Sequence, residues 1–94
     1  MQKQQKIRLK GKPLAALNAE LHQRDGGCVM CGLWVDQGEK FHHEPCGINK
    51  QDRIDCGVVL CKRCHYERHF GKNSVVIKKR IEEYLFDIYK GKDV

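Results

Sequence analysis

Leucines spaced three and four residues apart mark the first regular element of the chain. Leu14, Leu17 and Leu21 fall on one face of a helix. Pro13 suits a first helical turn, and the Asp-Gly-Gly sequence after Arg24 breaks the pattern. The pattern therefore predicts a helix from Pro13 to Arg24 that packs through its leucine face.

A second apolar stripe lies near the C-terminus. Its members step by three or four residues, at Ile77, Ile81, Leu85 and Ile88. Lysines and acidic residues occupy the other faces, and Asn73 or Ser74 can cap the start. The stripe predicts a last helix whose role is packing.

Between these helices, short apolar runs alternate with turns. Residues 40–44 predict a short strand that ends at Pro45, and residues 57–60 predict a strand of buried type. The polar interval between the two strands makes them a hairpin with a long loop. A helix over residues 65–70, ended by Gly71, follows. The order of elements predicts a small α+β domain with N- and C-terminal flanking helices.

The length and hydrophobicity of the chain indicate its domain number, its means of stabilisation and its cellular location. At 94 residues we expect one domain, and a core this small often needs a metal ion or disulfides. The chain opens with a polar, basic stretch and has no apolar run near the ~20 residues of a membrane span. We therefore expect a cytoplasmic protein with no membrane partner. In a reducing cytosol, paired Cys-x-x-Cys motifs favour metal binding over disulfides.

Positive charge adds a candidate partner. The net charge of +6 favours a polyanion, most simply nucleic acid, although ribosomal, membrane-surface and merely soluble proteins share such a charge. Residues 1–12 carry basic side chains and no acidic one, at Lys3, Lys6, Arg8, Lys10 and Lys12. We interpret this segment as a flexible basic arm, either ordered on a phosphate backbone or simply solvated. Residues 13–94 form the predicted domain.

Two Cys-x-x-Cys motifs provide the strongest chemical signal. Such a turn lets two thiolates converge on one ion, and two turns complete a tetrahedral zinc site. The four predicted zinc ligands are Cys28, Cys31, Cys61 and Cys64. Because four thiolates leave no open coordination position, this site is expected to stabilise the fold without taking part in catalysis.

Four residues near these motifs receive no chemical role. Cys46 and Cys56 lack a Cys-x-x-Cys partner and are interpreted as free thiols. Trp34 is predicted to anchor the core beside the metal. His22 lies next to the leucine face of the first helix and is predicted to be a packing or surface residue.

The other four histidines lie in two short motifs. His42 and His43 are adjacent on a predicted strand, so their side chains point to opposite faces. His65 and His69 share one helix face. One strand histidine with the helical pair would give three imidazoles able to hold a divalent ion on a phosphate oxygen. The remaining histidine would be free to accept a proton near neutral pH. Alternatively, the four histidines are surface residues, or one of them replaces a cysteine as a zinc ligand.

Together these motifs resemble one family. The run RDGGCVMCG, the HH pair and the run LCKRCHYERH at 60–69 resemble HNH endonucleases of the ββα-metal (His-Me finger) class. The chain resembles small zinc-containing phage and bacterial members, and the HH pair with an HxxxH helix is similar to colicin DNases. The resemblance covers roughly residues 13–71. It implies a hairpin and a helix that grip one divalent ion, with the paired cysteines tying the ends together.

The resemblance also implies an activity and its residues. The chain would be a metal-dependent DNA endonuclease that leaves 5′-phosphate and 3′-hydroxyl ends. His43 would be the general base, while Mg²⁺ or Mn²⁺, with Zn²⁺ or Ni²⁺ as alternatives, would be held by His42, His65 and His69. A monomer would nick, and duplex cleavage would need a homodimer or two events.

One position departs from the family pattern. The family has an asparagine before the second strand that orients the base, and this chain has Cys56 there. Asp52 or Asp55 could take that role, because an acceptor on the imidazole fixes its tautomer. Both are therefore candidate catalytic residues.

Two other classes of function stay open. The chain could be a non-catalytic zinc module that binds nucleic acid through its basic arm, or a structural partner protein. Binding alone requires no open metal site, so the HH and HxxxH motifs favour the nuclease.

Overall fold

Three helices surround a two-stranded antiparallel sheet in the part of the chain that the structure describes. The computed structural model describes residues 7–90. Its elements are α1 (Lys12–Asp25), β1 (His42–His43), a 3₁₀ turn (Gly47–Asn49), β2 (Gly57–Val58), α2 (Lys62–Phe70) and α3 (Ser74–Tyr89). The predicted small α+β class is confirmed. Among these elements, none of the helices combines the length and apolar character needed to span a bilayer.

The core lies between the inner faces of the helices and the hairpin. Leu21 on α1, Ile81 on α3 and Val58 on β2 are each 0% exposed. α1 packs against β2, and α3 packs against α2. Burying one such side chain contributes about 1.5–3 kcal/mol. The predicted leucine face and isoleucine stripe are therefore the faces that the helices bury.

The observed strands are shorter than predicted. Regular pairing covers two residues of each strand, with His42 opposite Val58 and His43 opposite Gly57. Beyond it, other groups satisfy the backbone. The Phe41 amide donates to the side-chain oxygen of Asn18 at 2.9 Å. The Val59 amide donates to the Asp25 carboxylate at 2.8 Å. Side chains of α1 thus replace ladder bonds and hold the hairpin in position.

The polar end of α1 ties the hairpin to α3. Arg24 donates to the carbonyl oxygens of Ile54 at 2.6 Å and Gly57 at 2.8 Å. Asp25 accepts from the Tyr84 hydroxyl at 2.6 Å. Gly26 then ends the helix with φ 67°, a left-handed conformation that glycine adopts without strain. The Arg-Asp-Gly sequence therefore ends the helix and also binds the hairpin to α1 through hydrogen bonds.

Two local predictions need correction. α2 begins at Lys62 rather than His65, because the Cys61 sulfur caps it by accepting from the Cys64 amide at 3.5 Å. The prediction that Trp34 anchors the core is wrong, since Trp34 is 76% exposed and its neighbour Val35 is buried. The smaller Val35 therefore takes the core position of this segment.

Part of the predicted basic arm lies against the domain. The Ile7 carbonyl accepts from the Asp52 amide at 2.7 Å, and Lys12 already belongs to α1. Residues 1–6, which contain the rest of the predicted arm, lie outside the described residues.

Candidate metal centres and catalytic cleft

The four cysteines of the two Cys-x-x-Cys motifs converge. Their sulfur atoms all lie within 4.8 Å of one another, and the Sγ atoms of Cys31 and Cys61 are 3.6 Å apart. This cluster, made of Cys28, Cys31, Cys61 and Cys64, could hold a structural metal ion such as zinc. The predicted grouping of these four residues is confirmed.

Local backbone geometry builds this cluster. The Gly32 amide donates to the Cys28 carbonyl at 2.9 Å, which closes the first turn. The second pair lies at the start of α2, with Cys61 as the N-cap and Cys64 in the first turn. The Val29 amide donates to the Val59 carbonyl at 3.0 Å and so joins the first turn to the end of the hairpin.

The cluster is unfavourable for thiolates without a cation. Burial, together with contacts from Cys61, Cys28 and Cys31, raises the pKa of the Cys64 thiol above its ordinary value. Several negative sulfur atoms this close repel one another, and a divalent cation removes that repulsion. The donor set therefore fits zinc.

Three histidines, one on β1 and two on α2, form a second cluster. The ring centroids of His42, His65 and His69 are 4.8–5.2 Å apart pairwise. Each ring offers one nitrogen within 4.8 Å of the other two. The Nε2 atoms of His65 and His69 are 3.1 Å apart. Two nitrogens bound at about 2.1 Å to one ion lie roughly 3.0–3.4 Å apart, so these atoms fit one ion.

A buried carboxylate and a buried guanidinium support this cluster. His42 donates Nε2–H to Glu44 at 3.0 Å, which leaves Nδ1 with the lone pair that could bind a metal. Arg68 binds both Glu44 oxygens at 2.8 Å each. Burial alone would raise the pKa of Glu44, but the bonds from His42 and Arg68 outweigh it and lower that pKa to about 2. The carboxylate therefore stays charged and holds His42 in one tautomer.

Glu44 and Arg68 are two residues of the site that were not predicted from the sequence. One signal was available for Glu44, because residues two apart on a strand share a face and Glu44 follows His42 by two. Arg68 directly precedes His69 in the HxxxH motif, and no spacing pattern in the sequence indicates its contact with Glu44. Its role depends on a contact between residues 24 apart in the chain.

His43 faces the other side of β1 and has a different partner. It donates Nε2–H to Asp52 Oδ1 at 2.7 Å, which leaves Nδ1 as the nitrogen that can accept a proton. The predicted opposite orientation of the two strand histidines is what the structure has. Of the two candidate orienting residues, Asp52 makes this contact. Asp55 instead pairs with Arg53 at 3.0 Å and lines a separate cleft beside α3.

Burial and neighbouring hydrogen bonds determine the protonation states of His43 and Asp52. Burial lowers the pKa of His43, although the bond to Asp52 opposes this effect. Burial would raise the pKa of Asp52, but bonds from His43, the Leu9 amide and Arg8 lower it to about 2. At neutral pH the pair is therefore a carboxylate beside a neutral imidazole, the state that a general base requires.

The ring of Phe41 packs against His43, and Gly57 leaves the space that this ring occupies. The ring of Phe41 lies 4.7 Å from that of His43, centroid to centroid, and is 3% exposed. A Cβ atom at Gly57 would lie 2.6 Å from the Phe41 ring. Because real Cβ atoms do not approach a ring so closely, the Phe41 position requires glycine at 57.

All four histidines line one open cleft. The cleft has a volume of about 240 Å³, and its other lining residues include Lys40, Lys50 and Cys46. The three-histidine cluster and His43 thus meet the same solvent-accessible space, with two lysines at its edge. Such a cleft could bring a metal-bound anion next to a proton acceptor.

Comparison of this chain with protein-family models, with curated proteins and with solved structures finds no match. The chemistry of the two centres is therefore inferred from their residues, distances and charges.

The two remaining cysteines lie apart from the sulfur cluster. The Cys46 sulfur lies 3.8 Å from an Arg68 nitrogen, at the edge of the cleft. The Cys56 thiol contacts Asp55 at 3.6 Å, and burial together with that carboxylate raises its pKa. A protonated Cys56 is a weak nucleophile and a weak metal ligand.

Proposed function

We propose that this protein is a metal-dependent DNA endonuclease of the HNH, ββα-metal type. The observation that carries the proposal is the shared cleft, where His43, backed by Asp52, and a three-histidine cluster meet. The element order β1, β2, α2 with antiparallel strands also supports it. Plain nucleic-acid binding would require neither the cluster nor the oriented base.

His42, His65 and His69 would hold one divalent ion in this cleft. When bound, the ion would stabilise the negative charge that develops on the phosphate and the leaving oxygen. An all-imidazole donor set suits Zn²⁺ and Ni²⁺, whereas Mg²⁺ prefers oxygen ligands. Mn²⁺ lies between these cases. We therefore expect Mn²⁺, Ni²⁺ or Zn²⁺ to support activity better than Mg²⁺.

His43 would act as the general base. Its Nδ1 takes a proton from water, and the water oxygen bonds to phosphorus as the bond from phosphorus to the 3′ oxygen breaks. The leaving 3′ oxygen takes a proton from solvent, and the products are a 5′-phosphate and a 3′-hydroxyl. Asp52 keeps the other ring nitrogen protonated, so that Nδ1 carries the lone pair. Lys40 and Lys50 at the edge of the cleft would attract the phosphodiester.

The decisive experiment is relaxation of supercoiled plasmid by purified, zinc-loaded protein. We expect nicked circles with added Mn²⁺ or Ni²⁺ and none in a variant that lacks the base, His43→Ala. Asp52→Ala should lower the rate, whereas Asp55→Ala is the matched control because its carboxylate contacts Arg53 instead. No nicking by the wild-type protein with any of the four metals would contradict the proposal.

Salt dependence tests the DNA partner separately. Deleting the predicted arm would also remove contacts to Asp52, so charge replacement is the cleaner test. We would change Lys3, Lys6, Lys10 and Lys12 to glutamine and leave Arg8 in place. If all four contact phosphates, the slope of log affinity against log salt should fall by roughly 3–4 units. An unchanged slope would remove these lysines from the DNA interface.

Exposed aromatic residues support a second candidate, a non-catalytic zinc module that binds single-stranded nucleic acid. Trp34 is 76% exposed, and Tyr66 and Phe70 are 64% and 76% exposed with ring centroids 5.2 Å apart. Aromatic rings of this kind stack on bases. Tight binding of oligonucleotides without cleavage in any metal would favour this candidate.

A further inference from the structure

The N-terminal residues 7–9 cross the loop between the two strands at Asp52. Asp52 Oδ2 accepts from the Leu9 amide at 2.7 Å and from Arg8 Nε at 3.1 Å. The Asp52 amide donates to the Ile7 carbonyl at 2.7 Å. Gln51 accepts from the Ile7 amide at 3.3 Å. Four contacts thus join this segment, which we call the N-terminal strap, to two consecutive loop residues.

The two oxygens of Asp52 have separate tasks. Oδ1 accepts from His43 Nε2, and Oδ2 is held by the strap. The side chain of Asp52 is 0% exposed, so water does not compete for either oxygen. Because both oxygens are held, the carboxylate cannot rotate away from His43 without breaking a buried charge-assisted bond.

We propose that Arg8 and the N-terminal strap are positioning elements for the His43–Asp52 pair. The strap would fix the carboxylate, and through it the tautomer and orientation of the base. For the effect on turnover, this inference rests on the proposed nuclease function. Arg8 does not line the cleft and does not belong to the three-histidine cluster, and its side chain bonds to Asp52. Its charge also lowers the pKa of His43, so the guanidinium acts on the base through Asp52 and through its own field.

Because Arg8 is partly exposed, its removal should affect the position of Asp52 without unfolding the domain. Its side chain is 46% exposed, and exposed ion pairs contribute little to the free energy of folding. Loss of the guanidinium should therefore leave the fold intact and free the carboxylate to move. A misplacement near 1 Å can cost about 10²-fold in rate. Since the Leu9 amide remains, we expect a smaller loss from Arg8→Gln, roughly tenfold in kcat.

Arg53 offers a matched control. It is the loop residue that follows Asp52, its side chain is 46% exposed like that of Arg8, and it pairs with Asp55 rather than Asp52. Arg53→Gln removes the same charge next to Asp52 in sequence and should leave kcat unchanged. If Arg8 only attracts DNA, Arg8→Gln should raise KM and keep kcat. Arg8→Lys, which retains a charged donor, should restore most of the turnover.

A double-mutant cycle tests whether Arg8 acts through Asp52. In an Asp52→Asn background, adding Arg8→Gln should lower kcat by less than about twofold, because the contact that it supports is already changed. A full further loss in that background would overturn the proposal. So would Arg8→Gln with the kcat of the wild-type protein.

A readout independent of cleavage separates this inference from the proposed function. In protein with ¹⁵N-labelled histidine, the Nε2–H of His43 should be protected from solvent exchange in the wild type and in Arg53→Gln. It should lose protection in Arg8→Gln. If the wild-type protein cleaves no DNA, the nuclease proposal fails, and loss of protection would still support the strap as the element that positions His43. Unchanged protection in Arg8→Gln would overturn it.

Discussion

The cysteine cluster and the histidine cluster have the same tight spacing of donor atoms but opposite surroundings. In both, the candidate ligand atoms lie within 4.8 Å of one another. The cysteine cluster has four candidate ligands and no carboxylate next to them among the described contacts. The histidine cluster has three candidate ligands, a buried Glu44–Arg68 pair bonded to His42, and an open cleft that His43 also lines. Four protein ligands complete the coordination of a metal ion, as in structural sites. Three ligands leave a position open for water or substrate, as in catalytic sites, and a bonded carboxylate orients such ligands.

The largest expected effect is loss of the cysteine site. Cys61→Ser removes a thiolate and the cap of α2, and zinc binding contributes on the order of 10 kcal/mol to folding in small zinc domains. We expect an unfolded chain by circular dichroism and less than one zinc per chain by metal analysis. Cys46→Ser and Cys56→Ser are the controls and should keep the zinc. A folded, zinc-free wild-type protein would contradict this assignment.

The next largest effect separates the base from the metal cluster. His43→Ala should lower the nicking rate by ~10²–10⁴-fold, the usual contribution of a general base, while zinc content and DNA affinity stay the same. Extra Mn²⁺ should not restore the rate. His42→Ala should instead lose activity through weaker metal binding, and higher Mn²⁺ should partly restore it. The reverse pattern would mean that the two strand histidines exchange roles.

A moderate effect is expected at the support behind the histidine cluster. Glu44→Gln removes the charge that orients His42, and such changes typically cost 10–100-fold in metal affinity. Titration of Mn²⁺ or Ni²⁺ by calorimetry would measure this loss, while the zinc of the cysteine cluster should remain. Glu20→Gln is a suitable control, since Glu20 is exposed on α1 and is not among the described contacts of the cluster. Equal affinity in Glu44→Gln and wild type would show that the carboxylate has no part in metal binding.

The smallest effect is expected at Trp34. With 76% of this residue exposed, Trp34→Ala should change the free energy of unfolding by no more than about 0.5 kcal/mol. Phe41→Ala, at 3% exposure, should cost about 3–5 kcal/mol. Urea unfolding of both variants would measure the difference. A large loss of stability in Trp34→Ala would restore the role that its sequence position suggested.

Features set by interactions within a few residues could be predicted from the sequence. Each Cys-x-x-Cys pair lies in one short turn, and the opposite faces of His42 and His43 depend on strand geometry alone. Helix faces likewise follow from spacing within a few turns. The meeting of the two cysteine pairs is not local, since Cys31 and Cys61 lie 30 residues apart, but it was predictable because a tetrahedral zinc ion needs four ligands.

Features that depend on distant contacts could not be predicted in the same way. Trp34 is exposed because Val35 fills the core position, which depends on how the segment lies over the domain. The choice between Asp52 and Asp55 was left open because either could reach His43 from a long loop. The bonds that hold Asp52 come from residues 43 and 44 positions away, at Leu9 and Arg8. No periodicity or spacing rule reports such a contact.

The sharing of α2 by both clusters implies that the two candidate metal sites would be coupled. Cys61 and Cys64 form the start of this helix, and His65 is the next residue, followed one turn later by His69. An ion on the cysteines would hold the first turn of the helix, and with it the backbone that carries both imidazoles. Because such coupling is reciprocal, an ion at either cluster would raise the affinity of the other cluster by the same factor. Loss of zinc from the cysteines would then weaken metal binding in the cleft, although no cysteine lies among the three histidine ligands.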